Sequence, residues 1–367
     1  MSRAYYLDYL RGLMALSIML YHYSSWAGYT PGPESLLGKL GVYGVEVFYI
    51  LSGASLALVY FSRERLEKFS VVDFCLKRIF RIIPLFWVCL TTMLFLKLVE
   101  SKITSQPLDI SVTEIFLNYT MLFSFFSPAD YILIGGWSIG NEVVFYVLFP
   151  ILFLGLKKFG LRSIFALFSI SFGVGLLFSY KIVTIDATML DNWRDYVNPV
   201  NHILYFLSGI LIALSIKPLD TNENKGVNFI VLVLVIIGFA FWLYPVKADI
   251  NLIHGLDRLC LTILILVFVS LFFKLAYFKI SYLHGPLSML GELCYGIYLI
   301  HPIVGFSIAF LTERLLGWSV VYAYFISVPI TIILAYIVHR FIEIEFINLG
   351  KIVSSRLVGS RLKSVNK

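Results

Sequence analysis

Charge is scarce in this chain: 14% of its 367 residues are Asp, Glu, Lys or Arg, against about 25% in an ordinary soluble domain. Cysteine is scarcer. Cys75, Cys89, Cys260 and Cys294 lie far apart with no Cys-x-x-Cys pair, so neither a disulfide framework nor a metal site is indicated. No internal repeat and no inverted pair of broken helices stands out, which disfavours a secondary transporter. What is abundant is apolar: 59% hydrophobic and 17% aromatic residues, with a mean hydropathy of +0.88. Such a composition cannot be hidden in one core, so most of it faces lipid, and a soluble globule, a disordered chain and a collagen-like repeat are all excluded. The reading is an all-α, polytopic integral membrane helical bundle.

The net charge of +7 and pI near 9.0 come from short basic clusters between apolar runs, without the contiguous basic face of a nucleic-acid binder. Loops held on the cytoplasmic side explain them. Asp8 and Arg11 interrupt the first apolar stretch, so it reads as a retained first helix, not a cleaved signal.

Windows of about 20 apolar residues cross a bilayer at about 1.5 Å per residue. Ten are clear: Leu7 to Ala27, Gly41 to Phe61, Ile82 to Val99, Trp137 to Leu156, Leu161 to Tyr180, Pro199 to Ile216, Val227 to Tyr244, Leu256 to Phe273, Pro286 to Leu311 and Trp318 to Ile342. An eleventh, Val112 to Phe126, is short and carries Glu114 and Asn118. If it does not cross, both termini are cytoplasmic and 21 of the 29 Lys and Arg lie inside; if it does, 13 lie inside against 16 outside. The charge bias selects ten spans. The chain is then expected to divide into a transmembrane domain, 1–350, and a basic cytoplasmic tail, 351–367, with no appended soluble domain.

Ionisable groups inside spans are expensive, and each is a functional candidate. Arg11 and His22 are eleven residues apart on the first span, three turns plus about 20°, so they share one helix face about 16 Å apart. An arginine that grips phosphate below a histidine that moves protons suits an anionic acyl carrier; a snorkelling arginine and a hydrogen-bonded core histidine would look the same. Lys77, Arg78 and Arg81 precede Ile83-Pro84, where a short interfacial helix is expected to end and the third span to begin. Arg78 and Arg81 point the same way, a geometry suited to a diphosphate, though positive-inside anchoring also produces such a run. Ser138, Glu142 and Tyr146 form a polar stripe one turn apart, and Glu46 enters from the same outer side; the alternative is a pair of structural carboxylates. Tyr298 and His301 share a face beside Pro302, which frees a carbonyl. His202 and His339 fall near span ends and read as solvated.

Together these clusters resemble the membrane-bound acyltransferase-3 family. Its first-span arginine and histidine, with ten residues between them, match Arg11 and His22. Its Gly-Val-acid-hydrophobic-Phe segment leading to Leu-Ser-Gly matches Gly44 to Gly53, with Glu46 as the acid. Arg-x-x-Arg-Ile-x-Pro matches Arg78 to Pro84, Trp-Ser-x-x-x-Glu-x-x-Phe-Tyr-x-x-Phe-Pro matches Trp137 to Pro150, and Tyr-Gly-Ile-Tyr-Leu-x-His matches Tyr295 to His301. The family often ends on Glu-x-Pro where this chain has Glu343-Ile344-Glu345. The resemblance implies transfer of an acyl group, most often acetyl, from cytoplasmic acyl-CoA to a hydroxyl of an envelope glycan such as O-antigen or exopolysaccharide, by a standalone member without a fused esterase-like domain. It implies Arg11, Arg78 and Arg81 on acetyl-CoA as co-substrate, His22 as general base with Glu142 beside it, and Glu46, Tyr146, Tyr298 and His301 around the acceptor, with no metal and no nucleic-acid partner. From the residues alone, a glycan or lipid-linked-sugar transporter is the rival, because charged and aromatic residues in mid-membrane also describe a translocation path.

Overall fold

The computed structural model describes residues 5–61, 69–216, 225–241, 246, 248–275 and 282–365. Its helices are α1 (Tyr5–Trp26), α2 (Leu36–Tyr60), α3 (Val71–Thr104), α4 (Val112–Tyr119), α5 (Phe123–Phe126), α6 (Gly136–Phe159), α7 (Leu161–Leu177), α8 (Trp193–Tyr196), α9 (Pro199–Ser215), α10 (Lys225–Phe241), α11 (Gly255–Lys274), α12 (His284–Leu311), α13 (Val320–Val338) and α14 (Ile344–Val365). π-turns follow α7, α12 and α13, and no strand occurs among the described residues. Helix starts follow local chemistry. Ser35, Ser70 and Ser319 cap α2, α3 and α13, and Asn198 caps α9 ahead of Pro199, whose missing N–H costs nothing in the first turn.

Eight helical stretches are long and apolar enough to cross a membrane: Leu36–Tyr60, Val71–Thr104, Gly136–Phe159, Leu161–Ile182, Trp193–Ser215, Gly255–Lys274, His284–Arg314 and Val320–Leu357. The first and seventh expected spans fall short of that measure. α1 has the length, but its tyrosines, serines and His22, together with Asp8 and Arg11, keep it too polar, and the apolar run of α10 is limited to Gly226–Ala240. Val112 to Phe126 breaks into helices of 8 and 4 residues, about 12 and 6 Å long, and neither can cross a hydrocarbon layer of about 30 Å.

The chain divides into two compact units, 1–61 with 152–294, and 62–151 with 295–367. In the first, α2 lies against α1, α9 and α11. The α2–α9 crossing is close because it is glycine on both sides. A Cβ on Gly209 would overlap the Ile50 carbonyl, and one on Gly53 the Phe206 carbonyl, so the backbones meet as small-residue helix pairs do in membranes.

In the second unit α14 runs along α3, with Gly350 against the Phe80 ring and the Ser354 hydroxyl bonded to Asp73. The stretch expected as a basic tail is therefore helical as far as Val365. α3 also corrects the sequence reading. It does not stop at Ile83 but runs through Pro84 as one helix of 34 residues. A proline inside a helix frees the carbonyl four residues back, here that of Phe80; the Phe80 side chain packs on Gly350 of α14, and within the same turn the Tyr295 hydroxyl donates to the Ile82 carbonyl at 2.7 Å. Asn118 organises the segment before α6, accepting from the Ile132 N–H and donating to the Asp130 carbonyl, both at 2.9 Å.

Candidate active site

The second unit gathers three of the four sequence clusters. On α3, the Arg78 guanidinium lies 5.4 Å from the Tyr146 ring centroid and 5.8 Å from that of Phe74, where the ring quadrupoles hold a cation flat. Its Nε is buried with no hydrogen-bond partner among the described residues. The Tyr146 hydroxyl in turn donates to Glu142 Oε1 one turn earlier on α6. Arg81 is exposed at its side-chain surface, and it and Arg78 lie within electrostatic reach of Tyr146. A basic grip, an aromatic support and a carboxylate are thus linked through one tyrosine.

Beside them on α12, the Tyr298 hydroxyl meets Ser138 Oγ at 2.7 Å, and Ser138 itself donates to the Gly135 carbonyl at 2.9 Å. Gly135 has φ +79°, a turn that glycine makes without strain and that aims α6 at α12. His301 is fully buried and donates from Nδ1 to the Ile297 carbonyl at 3.1 Å; its ring lies 6.0 Å from that of Tyr298. Tyr295, one turn before, sits within electrostatic reach of Cys89, Glu343, Glu142 and Arg81. Glu343 was only a loose motif match in the sequence. It is buried in the π-turn after α13, pairs with His339 at 3.0 Å, and its Oε1 packs on Gly296, where a Cβ would come within 3.2 Å. π-turns concentrate at functional sites because they re-aim a side chain. His339 is accordingly a carboxylate partner, in contrast to the solvated histidine expected of its position.

The first unit holds the remaining cluster. Arg11 is tied down by Asp8 at 3.0 Å, by the Leu51 carbonyl at 3.2 Å and by the Ser55 hydroxyl. Asp8, which in the sequence only interrupts an apolar run, is its counter-ion. The His22 ring stacks on Trp26, centroids 5.1 Å apart and planes 14° from parallel, with Tyr21 tilted at 5.8 Å. Arg11 and His22 share one face of α1 by the helix period, as expected.

Glu46 is buried and accepts from the Tyr196 hydroxyl at 2.8 Å, with His202 Nδ1 3.5 Å from the same oxygen. His202, expected at a solvated span end, is instead fully buried. Arg258, Asn201 and Tyr196, which complete this network, were missed; an arginine in the run Leu-Asp-Arg-Leu-Cys-Leu-Thr-Ile was the available signal. Glu142 belongs to the second unit and His22 to the first.

The profile of the family described as "Acyltransferase domain" matches residues 4–340, nearly the whole chain. The chain belongs to this acyltransferase family. The match takes in residues of both units and the five motifs from Arg11 to His301, and ends just before Glu343. Similar curated proteins are the O-acetyltransferases OatA of Staphylococcus aureus strains NCTC 8325 / PS 47, COL and MRSA252, each 27% identical over 376 residues, covering 92% of this chain and 56% of theirs. The chain thus spans about half the length of the curated relatives it matches. No solved structure matches it. With its apolar helices, membership makes this acyltransferase-family protein an integral membrane protein.

Proposed function

We propose that the protein is a membrane O-acyltransferase that moves an acyl group, acetyl in the simplest case, from acyl-CoA on the cytoplasmic side to a hydroxyl of a cell-envelope glycan such as O-antigen or exopolysaccharide, in the bacterial cytoplasmic membrane. The observation that carries this reading is the line Arg78–Tyr146–Glu142. It joins a guanidinium suited to a phosphate with a carboxylate suited to proton work. In this reading Arg78 and Arg81 hold the CoA phosphates and Arg11 guides the carrier, because a planar guanidinium binds phosphate bidentately. His22 takes the proton of the acceptor hydroxyl, whose oxygen attacks the thioester carbonyl; the C–S bond breaks and the departing thiolate receives that proton. General-base assistance of this kind is worth about 10²–10⁴ in rate, and a histidine needs little tuning near neutral pH. Glu142 is the second proton-handling group, and Glu46, Tyr146, Tyr298 and His301 serve the acceptor. Both termini are cytoplasmic in the ten-span arrangement that accompanies this proposal.

Membership of an acyltransferase family weighs against the glycan-transporter reading. The test is incubation of the purified protein with radiolabelled acetyl-CoA and crude envelope glycan. Label should move to the glycan, and labelling undiminished in His22→Ala refutes the base assignment.

A further inference from the structure

The first unit concentrates buried polar groups where the starts of α9 and α11 meet α2. Glu46 lies ten residues into α2, Asn201 and His202 in the first turn of α9, and Arg258 in the first turn of α11. Glu46 is 2% exposed, His202 0% and Arg258 4%. Three ionisable groups in one apolar place are costly, and structural packing alone is done more cheaply by apolar side chains.

Hydrogen bonds run through them in one direction. Arg258 donates to Asn201 Oδ1 at 2.6 Å and to the Ile253 carbonyl at 3.3 Å. Asn201 Nδ2 at 2.8 Å and His202 Nε2 at 2.6 Å both donate to the Tyr196 carbonyl, and the Tyr196 hydroxyl donates to Glu46 Oε1. The His202 ring is caged by Tyr49, Tyr196 and Tyr205 at 5.5, 5.0 and 6.2 Å. His202 Nε2 fixes the Tyr196 carbonyl, while its Nδ1, which then carries no hydrogen, faces Glu46 Oε1 at 3.5 Å without donating to it, so the histidine acts on the carboxylate through Tyr196.

The network serves one oxygen of Glu46. The other, Oε2, is buried with no hydrogen-bond partner among the described residues. A carboxylate only accepts, so the partner that suits Oε2 is an O–H or N–H donor, and leaving it without one is expensive. We propose that Glu46 receives a hydroxyl of the acceptor on Oε2, and that Tyr196, His202 and Arg258 are the positioning residues that hold the carboxylate for that contact. The inference rests on the O-acyltransferase reading, in which a hydroxyl is the group to be acylated.

The test uses the full chain in lipid nanodiscs with radiolabelled acetyl-CoA and crude envelope glycan, measuring the half-saturating concentration of each and the maximal rate. Glu46→Gln keeps the shape and should raise the half-saturating glycan concentration about tenfold or more, with that for acetyl-CoA unmoved. Arg258→Gln should do the same, while Arg258→Lys, which keeps the charge, should stay within about threefold of the parent. Tyr196→Phe, the least disruptive change, should move glycan saturation in the same direction. If glycan saturation is unmoved in Glu46→Gln and Tyr196→Phe, or if both substrates' constants and the thermal midpoint move together, the network is structural and the inference is overturned. A parent protein that transfers no label refutes the acyltransferase reading itself, and this inference with it.

Discussion

Arg78→Lys isolates what the guanidinium contributes to donor binding, because it keeps the charge and removes the planar fork. In the structure that fork lies against the Phe74 and Tyr146 rings, so its orientation is fixed before any ligand arrives, and a bidentate phosphate contact loses little entropy. Replacing two charge-assisted hydrogen bonds with one costs about 1.5 kcal/mol, or about tenfold in Kd. At acetyl-CoA of 100 times the parent Kd, ligand binding stabilises the parent by about 2.7 kcal/mol; at the same concentration the variant, then at ten times its own Kd, gains about 1.4. The acetyl-CoA-induced thermal shift should therefore be roughly halved. Tyr146→Phe is the control: it keeps the ring beside Arg78 and removes the hydroxyl that donates to Glu142, so the shift should stay whole while transfer falls. An unchanged shift in Arg78→Lys, or an equal loss in both variants, refutes the assignment of Arg78 to the donor phosphates.

Glu142→Gln keeps hydrogen bonding and removes charge; it should bind acetyl-CoA normally and lose transfer, whereas near-intact activity would reduce Glu142 to a tie between helices. Gly209→Val should cost well over 1 kcal/mol and lower the yield of monodisperse protein, since its side chain would meet the Ile50 backbone; size-exclusion and thermal melting check this. Asp249, in the turn before α11, has its carboxyl held above the usual range by burial and by the nearby charge of Glu34. Its contribution to stability is thus full below the ordinary carboxylate pKa and lost as pH rises through the folded value. Asp249→Asn should therefore be at least as stable as the parent at pH 7, with the difference narrowing as pH falls into the ordinary carboxylate range, and a difference that widens on acidification would contradict the sign. Mass spectrometry of envelope polysaccharide from a deletion strain should show an acetyl group missing from one sugar, and an unchanged glycan would refute that class of acceptor.

Composition and hydropathy alone settle that the chain is helical and belongs in a membrane, because an apolar excess of this size has no other stable environment. Helical period likewise puts Arg11 with His22, and Glu142 with Tyr146, on common faces, since both relations are internal to one helix. Three other features depend on partners distant in sequence, and only the tertiary structure decided them. α3 continues through Pro84, where α14 and Tyr295 meet the turn that a proline alone would break. His202, read as solvated from its place near a span end, is sealed against Glu46 and Tyr196, because the segment holding α8 reaches Glu46. Arg258 reads in sequence as one more outer charge; its burial rests on Asn201, 57 residues away. A helix period records which residues share a face, whereas the identity of the facing residue depends on how separate helices cross, and at α2 and α9 that crossing is set by two glycines whose absent side chains leave no periodic signal.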